Sequence, residues 1–492
     1  MKAVCCLSID VINADKPPAS LAFLAGACEA VGCDYFCHSV NIEMVKRLTD
    51  AQYQSLYSHI KLDTLNEYLP NIQFAFDGMV EEITKRDPSI ILVSLFSYFQ
   101  IPVTKLVLSL IKKSLPDAEI IVGGPGVSKT NKVGHSYGRQ LLDQNIIDYY
   151  VLGEGDQILL DFLRGDRTNP LFNADGQDLF VPQINDLDDK FLMPSYKNID
   201  FSFYQNLENK QKGVISITTS RGCVRACTFC DIAQSWPRFR FRSGKSIVSE
   251  IMQHYKDTGI TNFYITDSLI NGSVKSFNEF NLEMIKLKQE HPGLADFSYN
   301  GMFIVRDKRT HTEDFFRNMK LAGCESLAIG VETGSDRLRY DMNKKFKNAD
   351  LDYHLQCCSK YGIKNFFLMF VGYPTETDED FQQTLHMLER YQKYLLDGTI
   401  GGITFSGIFS MIPDSPVHLN RDSIGIEILQ DYDNKSLNWI NTMNPDLNIK
   451  KRILRDMAFR KRAAELRYPV PYTHRYLEYL SHVSPDFVTQ SD

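Results

Sequence analysis

With 492 residues, 43% of them hydrophobic and 23% charged, the chain has the make-up of an ordinary globular protein and room for about two to four domains. Its net charge of −7 argues against a broad phosphate-binding surface, so nucleic acid is not an expected partner. No apolar run approaches the ~18 residues of a membrane span, and the first ten residues read as a strand rather than a secretory leader. Eleven cysteines in such a chain point to a reducing, cytoplasmic setting rather than a disulfide framework.

Across residues 1–165 strand-like and helix-like stretches alternate. Strands are expected over 3–9, 35–40, 90–94, 119–122 and 147–152, and helices over 20–31, 50–65, 73–86 and 103–113. The first helix stops at Gly32, a residue suited to a left-handed C-terminal turn. This alternation predicts a doubly wound, Rossmann-like parallel sheet that binds ligands at the carboxyl ends of its strands. Three strand ends carry candidates: Ser94-Leu95, Gly123-Gly124-Pro125-Gly126, and Gly153-Glu154-Gly155. Glycine there lets backbone approach a ligand, and it equally serves a tight strand–helix turn. Cys5, Cys6, Cys28, Cys33 and Cys37 fall on these elements; they read as buried thiols, with an auxiliary metal cluster as the alternative.

Residues 166–210 are rich in Asp, Asn and Pro and read as a linker. From 211 to 410 the rhythm becomes strict. Strands are expected over 214–218, 262–266, 297–305, 326–331, 365–371 and 403–409. Helices over 245–256, 312–322, 351–361 and 378–394 lie among them; the last opens with a capping pair, Thr377 and Asp380. Six such units predict a partial (β/α)6, TIM-like barrel with its chemistry at the C-terminal strand ends.

The first barrel strand runs into Arg221-Gly222-Cys223-Val224-Arg225-Ala226-Cys227-Thr228-Phe229-Cys230. Thiolates are the usual ligands of iron–sulfur cubes, which normally take four. Here three stand together, and the next cysteine, Cys324, is far down the chain. A cube on three thiolates leaves one iron open. Zinc favours four N/S ligands, or three plus water, often with histidine; the loop holds none, and the nearest downstream is His254.

This Cys-x3-Cys-x2-Cys loop, with Phe229 before the last cysteine, resembles the cluster loop of radical S-adenosylmethionine (SAM) enzymes. The resemblance implies a 4Fe-4S cluster on Cys223, Cys227 and Cys230 as the catalytic centre. It implies SAM chelated at the open iron, an electron donor such as flavodoxin or ferredoxin, and a 5′-deoxyadenosyl radical that abstracts hydrogen from a small-molecule substrate. Polar strand ends match the family in order. By that match Asp267 and Asn271 lie near the SAM amino group or the substrate, and Glu332 binds the ribose or amino end. Gly372 and Pro374 shape the adenine side, and Asn300 and Arg306 on the third strand complete the site.

The first 165 residues resemble the cobalamin-binding domain found ahead of many radical SAM cores. Pro17-Pro18-Ala19-Ser20-Leu21-Ala22-Phe23-Leu24-Ala25 matches its first helix entry, and Ser94-Leu95 with Gly123-Gly124 match its contacts to the lower corrin. The Asp-x-His-x-x-Gly loop of that domain is absent: residues 8–17 hold Asp10 and no histidine. Either cobalamin binds without a protein histidine and carries a methyl group, or the domain serves substrate binding or packing.

Residues 411–492 are expected to be polar and helical, with an amphipathic stretch over 450–467 closing the barrel or covering the substrate. No cysteine lies beyond Cys358, which leaves no ligand for a C-terminal auxiliary cluster. Arg238-Phe239-Arg240-Phe241-Arg242 interleaves cations and rings; in an acidic chain it reads as a loop-to-strand edge rather than a nucleic-acid contact. His418 is expected to cap a turn. Two other classes stay open: a non-catalytic iron–sulfur carrier or redox sensor, and a radical SAM enzyme that modifies tRNA or protein.

Overall fold

The structure is a computed structural model that describes residues 3–9, 16–61, 64–97, 100–128, 135–204, 213–413, 415–432 and 435–470. It divides into two compact units. Unit 1 is Met1–Ile217 with Ser249–Phe263, and unit 2 is Thr218–Val248 with Tyr264–Asp492.

Unit 1 is built on a five-stranded sheet: β1 (Val4–Ser8), β2 (Tyr35–Ser39), β3 (Ile90–Ser94), β4 (Glu119–Gly123) and β5 (Tyr149–Tyr150). The order is β2-β1-β3-β4-β5 and every pairing is parallel. Strands buried on both faces must be apolar almost throughout, and Val4-Cys5-Cys6-Leu7 and Ile90-Ile91-Leu92-Val93 are. Helix Ala19–Val31 packs on β1, β2 and β3 and ends at Gly32 as expected. Helices Gln73–Lys85 and Ile101–Ser114 send Phe76, Met79, Ile83, Val107, Leu108 and Ile111 into a core with Cys5, Leu7, Ile91 and Val93 of the sheet. A further helix, Val40–Arg47, starts where β2 ends and was not apparent from periodicity; the Ser39 hydroxyl caps it by accepting from the Ile42 N–H. Cys5, Cys6 and Cys28 are fully buried, with the Cys6 and Cys28 sulfurs 3.8 Å apart, and burial pushes the Cys5 thiol up. They pack as structural thiols.

The last expected strand of this domain is split. β6 (Leu152–Gly153) leaves the main sheet and pairs in parallel with β7 (Phe180–Val181). The linker is ordered where described: Tyr196 donates to the Ser216 carbonyl at 2.6 Å on β8 (Ile215–Ile217) and meets His254 edge-on at 5.1 Å. These contacts draw Ser249–Phe263 into unit 1, where the sequence placed a boundary near residue 211.

Unit 2 begins with a short antiparallel ladder of β9 (Ser220–Arg221) on β10 (Arg240–Phe241). The barrel strands follow: β11 (Asn262–Ile265), β12 (Ser298–Phe303), β13 (Cys324–Glu332), β14 (Lys364–Val371) and β15 (Ile400–Ile408). The sheet order is β15-β14-β13-β12-β11-β8, and β12 through β15 pair in parallel. This is the partial TIM-like barrel of the sequence reading. Helix Val274–Glu290, absent from that reading, buries Phe277, Phe280 and Met284. The Thr377–Asp380 capping box is present at the head of helix Asp378–Leu396.

The C-terminal region is helical over Ile449–Glu465, which packs on β14 and β15. It also contains an antiparallel hairpin, β16 (Ile426–Tyr432) on β17 (Lys435–Asn441), where helix alone was expected. Trp439 on β17 is fully buried and anchors a small core with Leu338, Phe370, Tyr373 and Phe409. Residues 471–492 of the expected extension lie outside the described residues. No helix among the described residues is long and apolar enough to cross a membrane.

Candidate active site

The three-cysteine loop is pinched shut at its base. Arg221 pairs with Arg240 and Ser220 with Phe241 across the β9–β10 ladder. Gly222 sits just inside this neck at φ +87°, and a Cβ on it would lie 2.6 Å from the Arg238 carbonyl oxygen. Only glycine fits so close to backbone in that conformation. Arg242, fully buried, donates to the Thr218 carbonyl at 3.0 Å and holds the incoming strand end. The Arg-Phe-Arg-Phe-Arg stretch is therefore the return strand of the loop. Its Phe239 and Phe241 rings stack at 5.9 Å.

Inside the loop, Cys223, Cys227 and Cys230 are free thiols, each part-exposed. The Arg225 N–H donates to the Cys223 sulfur at 3.3 Å, and the Cys230 N–H donates to the Cys227 carbonyl at 3.2 Å. Burial raises all three thiols, Cys230 to about 11. For Cys223 and Cys227 the cations Lys344 and Arg225 pull the other way, favouring thiolate. The outer wall is held from the β13–β14 connection: Thr228 N–H donates to the Met342 carbonyl, and Asn343 Nδ2 donates to the Ala226 carbonyl at 2.7 Å. Phe229 turns into the protein, edge-on to Phe370 at 5.4 Å, with Lys344 Nζ 5.6 Å above its ring. The Thr228 hydroxyl meets the Tyr373 hydroxyl at 2.7 Å. Phe229 thus fixes the loop from beneath.

The predicted strand-end residues divide by what already occupies their polar atoms. Asp267 is buried, and its carboxylate accepts from the Thr219 N–H at 2.8 Å, the Thr219 hydroxyl and the Ser220 hydroxyl at 2.7 Å. Burial lifts its carboxyl to about 6 against those hydrogen bonds. It clamps the entry to the cysteine loop instead of presenting a free carboxylate. Asn271 is likewise consumed: it donates to the Ile304 carbonyl at 2.8 Å, accepts from the Ile304 N–H at 3.0 Å and meets His311 Nε2 at 3.2 Å. Burial holds His311 neutral, its pKa lowered to about 2. Arg306 donates to the Gly272 carbonyl at 3.1 Å, but its Nε is buried with no hydrogen-bond partner, and so is that of Arg225. Asn300, on β12 opposite Ser326, is half-buried.

Glu332 stands at the end of β13, where the register with β14 slips between Gly330 and Glu332. Its φ of +62° is rare for a side chain larger than glycine. Bulges and such strained residues re-aim side chains at functional sites. Lys344 pairs with its Oε1 at 3.0 Å. Lys344 was not foreseen; it lies twelve residues on, in a turn with no local signature.

Beyond β14, Gly372 has φ +79°, and its N–H donates to Glu376 Oε2 at 2.7 Å. Arg455, from the C-terminal helix, donates to the same oxygen at 2.6 Å and to Asp378 at 2.7 Å. Burial nonetheless wins for Glu376, raising its carboxyl to about 7. Asn441 of the hairpin donates to the Pro374 carbonyl at 3.1 Å. The Gly372–Pro374 turn is therefore held by its near neighbour Glu376 and by Arg455 and Asn441 from far down the chain. His418 forms part of a short helix, Pro416–Leu419, and its carbonyl accepts from Arg421.

In unit 1 the candidates Ser94 and Gly123 fall in one register row with Ser8 and Ser39 across the carboxyl edge. The order β2-β1-β3 places a topological switch point beside β1 and β3, where such sheets bind ligands. Gly124, at φ +103°, brings its backbone against Leu95: a Cβ there would lie 2.6 Å from the Leu95 oxygen. Gly153 and Glu154 turn away to the linker. Gly153 pairs with Val181, and the Glu154 carboxylate accepts from the Ile184 N–H at 2.9 Å. The loop with Asp10 lies outside the described residues.

Three part-exposed thiols on a closed loop, with no histidine and with flanking cations, form a donor set that fits an iron–sulfur cluster with an open position. Residues 217–388 match the family model of the Radical SAM superfamily. That match runs from the first barrel strand into helix Asp378–Leu396. A tRNA-2-methylthio-N(6)-dimethylallyladenosine synthase from a Sulfurihydrogenibium species is 25% identical over 191 residues, 38% of this chain and 42% of that protein. The chain thus spans under half the length of that relative. Among solved structures, the radical SAM methyltransferase TsrM from Kitasatospora setae, with cobalamin and a 4Fe-4S cluster bound, superimposes with TM-score 0.64 at 17% identity. That match covers 88% of this chain and 78% of TsrM. The cobalamin-dependent radical SAM enzyme OxsB, with aqua-cobalamin bound, gives TM-score 0.63 at 16% identity over 86% of this chain and 62% of its own. The barrel and the Rossmann-like sheet ahead of it share the fold of these two proteins.

Proposed function

We propose that the protein is a radical SAM enzyme that binds a 4Fe-4S cluster through Cys223, Cys227 and Cys230, cleaves SAM reductively, and modifies a small molecule with cobalamin as methyl carrier. The observation that carries the reading is the pinched loop itself: three free thiols held at the barrel mouth from both sides, beside a carboxylate on a bulged strand end. When bound, the cluster supplies the electron that opens the SAM sulfonium, and the corrin supplies a methyl acceptor and donor.

The chain's own work is positioning. Asp267, Gly222 and Arg242 fix the neck of the loop, and Phe229 with Asn343 fixes its tip. Lys344 neutralises one oxygen of Glu332 and leaves Oε2 for a ribose hydroxyl or an amine. The Gly372–Pro374 turn, braced by Glu376 and Asn441, forms the adenine side. In unit 1 the part-exposed Ser94–Gly123 edge carries little side-chain bulk, so a flat macrocycle can lie against it. TsrM has been solved with a tryptophan substrate, which supports a small molecule for this chain. The tRNA-modifying relative favours RNA as a second reading, though a net charge of −7 speaks against it.

Anaerobic reconstitution with iron and sulfide, followed by SAM and a reductant, tests the reading. Release of 5′-deoxyadenosine that disappears in a Cys223→Ala/Cys227→Ala/Cys230→Ala variant is the expected result. A cluster that forms without SAM affinity would make the protein an electron carrier instead. Absorbance of corrin retained through purification tests the cobalamin assignment separately.

A further inference from the structure

A complete barrel fills its interior with layers of large side chains. This one leaves its interior open along β12–β15. Alternation sorts the residues of each strand onto two faces. Phe303 meets Phe315 of helix Glu313–Ala322, Phe367 meets Tyr391 of helix Asp378–Leu396, and Phe405 stacks on Phe459 of helix Ile449–Glu465 at 4.2 Å. Their neighbours Met302, Phe366, Leu368 and Thr404 therefore lie on the inner face. The register aligns that face in rows: Met302 with Ala328 and Phe366, then Gly330 with Leu368 and Thr404. On β13 the inner positions are Ser326, Ala328 and Gly330, too small to fill the space. Phe366 is left 36% exposed, Met302, Ala328 and Leu368 are part-exposed, and Thr404 is exposed.

Glycines shape this floor. Gly401 is the extra residue of a bulge in β15, and a Cβ on it would lie 2.7 Å from the Phe366 ring, so its lack of a side chain lets the ring reach across the neighbouring strand. A Cβ on Gly330 would lie 2.4 Å from Glu332 Oε1 and 2.6 Å from Lys344 Nζ, so the floor runs up to that ion pair. Phe370, the next inner residue of β14, meets Phe229 of the cysteine loop at 5.4 Å. Between Lys364 at the foot and the Glu332–Lys344 pair at the head, neither row carries a charge.

We propose that this floor selects the substrate, and that it takes an uncharged, flat, ring-bearing group stacked on Phe366 and Leu368, with its polar edge on the Thr404 hydroxyl. The inference rests on the radical SAM reading of the cysteine loop and adds the chemistry of the substrate to it. Apolar walls with a few placed polar groups suit such a ligand, and a ring face is the natural partner of the Phe366 ring. A charged group on the floor would lose its water and find no counterion, because Lys344 is already paired with Glu332.

The probe is 2-naphthol, an uncharged double ring with one hydroxyl, set against 2-naphthoate, the same ring with a carboxylate. Equilibrium dialysis measures both on holoenzyme reconstituted to constant iron, with SAM present. The wild type should bind 2-naphthol at least ~30-fold more tightly than 2-naphthoate. Ala328→Leu fills the floor and Phe366→Ala removes its ring, and each should weaken 2-naphthol roughly tenfold. Thr404→Val should weaken 2-naphthol roughly threefold and leave 2-methylnaphthalene unchanged, a split that a purely structural role would not produce. Iron content and SAM affinity should match the wild type throughout. Equal affinity for 2-naphthol and 2-naphthoate, no 2-naphthol bound by a holoenzyme that binds SAM, or wild-type affinity in all three variants would overturn the proposal and leave the radical SAM reading intact. Loss of iron or of SAM affinity in the variants would place these residues in the scaffold and overturn it too. Failure of the wild type to assemble a cluster or bind SAM would instead remove the reading beneath it.

Discussion

The buried pair Glu376–Arg455 gives a prediction whose size depends on pH. Glu376 is 1% exposed and its carboxyl is raised from 4.5 to about 7 despite Arg455 at 2.6 Å. A group whose folded pKa is raised binds its proton more tightly when folded, so its ionisation costs stability as pH climbs from the unfolded value to the folded one. In the wild type that cost saturates above pH 7 at about 3 kcal/mol. Arg455→Met removes the guanidinium and leaves only the Gly372 N–H opposing burial, so Glu376 should stay protonated to higher pH. The linkage penalty of the variant relative to wild type is then ~1 kcal/mol at pH 7.5 and grows to ~3 kcal/mol at pH 9. Removing one partner of a buried pair that could not neutralise itself would cost ~3–5 kcal/mol at either pH. Both tryptophans, Trp236 and Trp439, lie in unit 2, so the midpoint of urea unfolding followed by intrinsic fluorescence reports this unit. Glu376→Gln should flatten the loss of wild-type stability between pH 4.5 and 7. The double variant should show no slope from this pair at all. An Arg455→Met penalty that is the same at pH 7.5 and pH 9 would refute the reasoning, because it would mean that Glu376 does not titrate in that window.

Other substitutions test the loop and the strand ends. Gly222→Ala places a Cβ 2.6 Å from a backbone oxygen at positive φ, and iron bound after reconstitution should fall severalfold while the far-UV spectrum is kept. Asp267→Ala orphans the Thr219 N–H and two hydroxyls and should cost ~3 kcal/mol, whereas Asp267→Asn keeps a carbonyl acceptor and should cost ~1 kcal/mol; urea midpoints separate them. Lys344→Met leaves Glu332 with an unpaired buried charge and should weaken SAM binding by roughly tenfold or more in equilibrium dialysis with the cluster intact.

Much of the fold was legible because it is written locally. Apolar strand runs, the Thr377–Asp380 box and the spacing of Cys223, Cys227 and Cys230 are each contained within a few residues. Ser94 and Gly123 were legible as strand ends; that they pair with each other across one edge is what the sheet order adds. The C-terminal hairpin was not: β17 reads Lys435-Ser436-Leu437-Asn438-Trp439-Ile440-Asn441, with too little alternation to mark a strand, and Trp439 finds its burial only against residues of distant barrel elements. Within the site, Asp267 and Asn271 spend their polar atoms on neighbouring backbone and side chains. Asp267 and Asn271 are polar at strand ends, and polarity there looks like ligand binding. A buried loop, however, has N–H and C=O groups of its own to satisfy, and the side chain at the neighbouring strand end is the group within reach.

The same accounting separates holding from binding elsewhere in the site. Glu154 spends its carboxylate on the Ile184 N–H and Glu376 spends its own on Gly372 and Arg455. Glu332 gives one oxygen to Lys344, and Arg225 and Arg306 keep buried Nε atoms without partners. Buried donors without partners are costly, at roughly 1–3 kcal/mol each, and persist where something else completes them. Arg225 and Arg306 thus hold unfilled donor capacity, and Glu332 keeps an oxygen outside its pair with Lys344. A site that must bind a charged, flexible cosubstrate against a cluster needs both kinds of residue: carboxylates such as Glu376 that brace a turn, and groups such as Glu332 Oε2 and Arg225 Nε whose bonds are left to be made by the ligand.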